Sequence, residues 1–116
     1  MISINKHNYI RSPKLLKAVS ELDCQSCGYS YGVQAAHTNW GGGKGRGIKA
    51  DDNLIAALCH TCHYEIDQGK NLTKEQRQEL WLKAHKRTVR ILMDTNKWAS
   101  DVPVPRGDTW LNTEQA

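Results

Sequence analysis

Apolar positions fall into four stretches of different period. Leu15, Ala18, Val19 and Leu22 recur at i, i+3, i+4 and i+7, the stripe of an amphipathic helix. Ser12-Pro13 supplies an N-cap and a proline at the first helical position, so that helix starts there and delivers the chain to Cys24. Residues 33–37 read as a short strand ending at a histidine, and residues 54–58 form an unbroken apolar run of strand length. A short helix follows to about Gln68 and stops at Gly69. Thr73-Lys74-Glu75-Gln76 is a capping box that opens the longest helix. Leu80, Trp81, Ala84, Thr88, Ile91 and Leu92 form its inner stripe, with Lys83, Lys86, Arg87 and Arg90 on the other side.

The polar stretches divide these elements. Residues 1–11 carry no clear period and fit an arm or an edge strand. Tyr29-Ser30-Tyr31-Gly32 reads as a loop or hairpin tip, and residues 39–47 hold five glycines in nine positions, too flexible for helix or sheet. From Lys97 onward, Pro103 and Pro105 interrupt any period, leaving a tail that packs through Trp98 or Trp110. The expected architecture is α+β: one domain over residues 1–116, with an arm and helix (1–23), a central core (24–69), a long helix (70–96) and a tail (97–116).

Composition narrows the class. With 39% hydrophobic and 24% charged residues, the chain belongs among soluble globular proteins. No apolar run approaches the roughly 18 residues of a membrane span, and the N-terminus lacks the apolar stretch of a signal peptide. A cytoplasmic location with reduced thiols is the expectation. The net charge of +4 permits a polyanionic partner without demanding one. Lys14 and Lys17, off the first helix's stripe, fit a solvated face or a DNA contact.

Chemistry concentrates at the cysteines. Cys24-Gln25-Ser26-Cys27 and Cys59-His60-Thr61-Cys62 are two tight Cys-x-x-Cys turns about thirty residues apart, with no cysteine to spare. That spacing aims four thiolates at one tetrahedral zinc ion, which would add folding free energy to a chain with a modest core. His63 and Asp67, four apart on the short helix, share one face and can chelate a second divalent ion; the same pair also fits an ordinary helix surface. His37 could act as a base beside a metal-bound phosphate, or simply as a core or surface histidine. Asn53 could orient that imidazole or serve turn geometry. The glycine loop carries Lys44, Arg46 and Lys49, which can approach phosphates or remain solvated. Trp40 could stack on a base or roof the core.

In combination, Cys24-x-x-Cys27, Ala36-His37, Asn53-Leu54 and Leu58-Cys59-x-x-Cys62-His63 resemble the HNH (ββα-metal) endonucleases that carry a zinc-knuckle pair. The resemblance is greatest to the small prophage-encoded YbcO-like group of predicted HNH nucleases, through Ala36-His37, Gly43-Lys44-Gly45 and Cys62-His63-Tyr64-Glu65-Ile66-Asp67. It covers about residues 24–69. It implies a ββα-metal core in which His37 is the general base, Asn53 its orienting partner, and His63 with Asp67 the ligands of a catalytic ion. That ion would be magnesium or manganese, with nickel or zinc also compatible, while Cys24, Cys27, Cys59 and Cys62 hold a separate structural zinc. The implied activity is hydrolysis of phosphodiesters in double- or single-stranded DNA, serving phage recombination, replication or packaging. A phage or host recombination or replication protein is a further expected partner.

One position departs from the family pattern. Most HNH enzymes place an aspartate or histidine metal ligand just before the base, where this chain has Ala36. Either His63 and Asp67 suffice with waters, or His37 turns to the metal, or activity has been lost. His60 is a weaker substitute ligand than Asp67, since neighbouring helix positions point in different directions. The alternative function is therefore a non-catalytic zinc module that binds DNA or protein on the same scaffold.

Overall fold

The computed structural model describes residues 10–37 and 51–105. The element order is α1 (Pro13–Ser20), β1 (Gln34–His37), β2 (Ile55–Leu58), α2 (His60–Gln68) and α3 (Lys74–Asp94). This is the expected α+β architecture, with a two-stranded antiparallel ribbon and three helices among the described residues. Ser12 caps α1 as its sequence requires, its hydroxyl accepting from the Leu15 amide at 3.2 Å. Thr73 and Gln76 close a complete capping box on α3.

The ribbon is short and made largely of alanine, so helices can approach both of its faces. Gln34 pairs with Leu58, Ala35 with Ala57, Ala36 with Ala56 and His37 with Ile55. On one face Ala36, Ala56 and Leu58 pack with Cys24, Cys59, Ile66 and Trp81. On the other, Ile55 and Ala57 pack with Leu15, Val19, Leu92, Ala99 and Val102. The alternation of strand side chains thus builds two small cores from four-residue strands.

Side chains satisfy backbone groups that a wider sheet would have paired. Thr88 Oγ1 accepts from the Ala57 amide at 3.0 Å and donates to the Ala84 carbonyl at 2.8 Å. His85 Nδ1–H donates to the Ile55 carbonyl at 2.6 Å, and Trp81 Nε1–H donates to the Ala36 carbonyl at 3.0 Å. A buried backbone group without such a partner would be costly, which explains polar residues on the inner face of α3.

One expectation needs correction. The inner face of α3 takes in Leu82 and His85 as well as Trp81, Ala84, Thr88 and Leu92, while Leu80 and Ile91 lie at its half-buried margins. α2 ends at Gln68 with Gly69 as its C-cap, as expected, and that glycine has φ −64°. Its requirement is space: a Cβ there would stand 2.5 Å from the Glu65 carbonyl oxygen. Trp98 anchors the tail, donating Nε1–H to the Val102 carbonyl at 2.8 Å, whereas Trp40 and Trp110 lie outside the described residues.

Candidate functional site

The first Cys-x-x-Cys turn follows α1 directly. Gly28 adopts φ +85°, which lets the Cys24 amide reach the Tyr29 carbonyl at 2.8 Å and closes the loop. The Gln25 amide bonds the Ala57 carbonyl at 2.8 Å, fastening this turn to β2. The second turn is continuous with β2 and opens α2, with Cys59 as its N-cap. Strand pairing therefore carries both turns to one end of the ribbon.

The four sulfurs lie within 4.8 Å of one another, and Cys27 Sγ is 3.7 Å from Cys59 Sγ. Metal–sulfur bonds of ~2.3 Å in tetrahedral array require sulfurs about 3.8 Å apart. The group fits a structural metal ion. Its electrostatics agree: burial pushes the Cys24 thiol up, but the Cys27, Cys59 and Ser26 amides outweigh that and bring it down to about 6. Two of those amides approach Cys24 Sγ at 3.4 Å. Burial and the neighbouring thiols push Cys62 the other way. Four sulfurs so close cannot all ionise without a cation between them.

His63 stands just beyond this cluster. Its Nδ1 is 2.6 Å from Gln34 Oε1 on β1, and its Nε2 is 3.3 Å from Asp67 Oδ2 one turn along α2. With Gln34 accepting from Nδ1–H, a neutral ring turns a bare Nε2 lone pair toward a carboxylate. Two lone pairs so placed call for a proton or a metal ion between them. Bonds of about 2.1 Å to one ion would set such donors roughly 3.0–3.4 Å apart, and the observed spacing falls within that range. Arg77 Nη1–H donates to the Asp67 carbonyl at 3.0 Å, holding the end of α2 against α3.

His37 belongs to a second pair. Its Nε2 is 2.8 Å from Asp52 Oδ1, and the Asp52 side chain is only 3% exposed. The other Asp52 oxygen accepts from the Ser12 amide at 2.7 Å, so this carboxylate joins β1 to the start of α1. Asn53, expected to orient His37, makes no hydrogen bond to it: its Nδ2–H donates to the Pro103 carbonyl at 3.0 Å, and its Oδ1 is buried without a partner among the described residues. The cause is the turn over residues 51–54, closed by the Leu54 amide on the Asp51 carbonyl at 3.0 Å. It sends neighbouring side chains in different directions. Sequence reasoning misses Asp52 because its role depends on that turn, although an acid beside the expected asparagine is a visible signal.

The two histidine pairs are not adjacent. Gln34 and His37 are three residues apart on β1, so their side chains leave opposite faces, about 10 Å apart along the strand. Ala36 faces the same side as Gln34 and is fully buried, and its methyl group offers no metal ligand. His60 is exposed at the first position of α2. Lys44, Arg46 and Lys49 lie outside the described residues. No helix among the described residues is long and apolar enough to cross a membrane. Comparison with protein-family models, curated proteins and solved structures gives no match, so a functional reading rests on this chain's own residues.

Proposed function

We propose that the protein is an HNH-type, metal-dependent endonuclease that hydrolyses DNA phosphodiesters, with zinc as the ion of the four-cysteine site. The observation that carries this reading is the His63–Asp67 pair: two metal-ligand atoms 3.3 Å apart, with the second ring nitrogen engaged by Gln34. His63 and Asp67 would hold magnesium or manganese together with water, and such an ion supplies positive charge to a phosphate under attack.

The remaining steps belong to the chain's own groups. Asp52 accepts Nε2–H of His37, fixing the tautomer and leaving Nδ1 as the basic atom. Nδ1 takes the proton from the attacking water, and the resulting imidazolium is stabilised by the Asp52 carboxylate. Asp52 is itself held by the Ser12 amide, so the base does not wander with the exposed surface. The orienting role expected of Asn53 passes to its neighbour. With His37 and the His63 pair on opposite faces of β1, a substrate would have to cross the end of the ribbon to meet both.

A second reading has its own support. Ala36 contributes no ligand, and its burial leaves no room for one without repacking. This favours a zinc-stabilised module that binds DNA, or a phage or host recombination or replication protein, without cleaving. Incubating the zinc-loaded chain with supercoiled plasmid and single-stranded DNA, across magnesium, manganese and nickel, separates the two. The nuclease reading expects ion-dependent nicking that falls about 100-fold or more in His37→Ala and also declines in Asp52→Asn. Binding with no cleavage under any ion would establish the module instead.

A further inference from the structure

α1 and the segment that follows α3 leave an open groove between them. Its volume is about 580 Å³, and Lys14, Lys17, Glu21, Asn96, Lys97 and Trp98 line it. Lys14 and Lys17 are one turn apart on α1, off the face that buries Leu15 and Val19. Lys97 stands on the other wall. All three lysines are exposed, and among the described residues none of them joins an ion pair. Among the described residues that line it, three cations face one carboxylate, which gives the groove a positive field.

Both walls are built firmly. Asn96 takes φ +63° at the end of α3, which turns the chain so that the Lys97 and Trp98 amides both bond the Leu92 carbonyl, at 2.8 and 3.1 Å. Trp98 is half-buried against the core shared by Leu15, Val19 and Leu92, and its N–H is already satisfied by Val102. What remains for a ligand at Trp98 is aromatic surface, set among ammonium groups. On the other wall, α1 is capped by Ser12, whose amide is bound to Asp52, the partner of His37. Lys14 follows two residues later in the chain, so the cationic wall begins in the first turn of the helix whose cap holds that carboxylate.

We propose that this groove binds a nucleic acid strand, the lysines tracking successive phosphates and the Trp98 ring meeting a base. Cations along a groove with an aromatic surface suit a sugar–phosphate chain, whose charges recur at regular spacing and whose bases stack. An acidic peptide would use the charges and leave the ring idle. The direction of the strand, toward His37, rests on the endonuclease reading; the binding itself does not.

The test is fluorescence anisotropy of labelled single-stranded and duplex oligonucleotides. It uses the zinc-loaded full chain without added divalent ion, titrated in salt, and poly-glutamate as the competing polyanion. Replacing Lys14, Lys17 and Lys97 together by glutamine should weaken binding about tenfold or more at low salt. It should also reduce the log–log salt slope by roughly 2–3, because each phosphate left without its lysine takes away about 0.7–0.9. Wild-type affinity and slope in that variant would overturn the groove while leaving a nucleic acid partner in place. Lysine-dependent binding of poly-glutamate with no binding of either oligonucleotide would overturn it in favour of an acidic protein. Lysine-dependent oligonucleotide binding by a chain that nicks no DNA in the separate incubations with magnesium, manganese and nickel would sustain the groove and remove the endonuclease reading instead.

Discussion

His85 sits inside α3 with no exposed surface, stacked on Trp81 with ring centroids 4.8 Å apart. Burial lowers its pKa to about 4; the Ile55 carbonyl opposes that shift and nearby Lys86 adds to it. In the unfolded chain the same imidazole titrates near 6.5. Between those values the unfolded state binds a proton that the folded state refuses, so stability falls as pH drops from 6.5 toward 4 and levels off below. The steepest loss from this one group is about 1.4 kcal/mol per pH unit. Denaturant midpoints of zinc-loaded protein from neutral pH down to about 5 should therefore fall less in His85→Gln than in the wild type. Parallel curves would show that His85 is not the acid-sensitive group. Asp52 makes the complementary point: a buried carboxylate that accepts from Ser12 and His37 is a structural strut and a candidate partner for a base at once.

At the scale of elements, local chemistry and long-range placement separate cleanly. Ser12-Pro13 and the Thr73 capping box specify their helix starts without help from the rest of the chain, and the structure has both. The alternation in β1 and β2 is less informative, because two alanines in each strand fit either face. What the sequence could not show is which groups cap the ribbon's backbone. Thr88 and His85 share the helical spacing of Trp81 and Leu92, but that spacing does not say why they are polar until β2 brings its amides and carbonyls against them. Asn53 and Asp52 illustrate the same limit, since one turn decides which of two adjacent polar side chains meets His37. The end of α2 depends on a close approach that no spacing rule contains. Gly69→Ala should destabilise the chain by about 1–3 kcal/mol through the clash with the Glu65 carbonyl, measured as a lowered thermal midpoint. A midpoint equal to the wild type's would mean that the helix end relaxes without cost.

Across the whole molecule, the cysteine group and the ribbon support one another. Antiparallel pairing gathers both Cys-x-x-Cys turns at one end, and a metal held there would tie α1, β2 and α2 into a unit that the two small cores alone hold weakly. Cysteine spacing makes this centre plain before any fold is known. The proposed second site is only partly legible: the four-residue spacing of His63 and Asp67 follows from helix geometry, whereas the engagement of Gln34 comes from a strand 29 residues away. The proposed chemistry requires a chain that binds two ions in different ways, sulfur at one site, nitrogen and oxygen at the other. Metal content per chain, measured by elemental analysis after equilibration with zinc and then with excess manganese and an oligonucleotide, addresses this directly. One zinc that persists throughout, with a further manganese equivalent lost in His63→Ala and Asp67→Asn, is the predicted result. A single equivalent under every condition, unchanged by those substitutions, would contradict it.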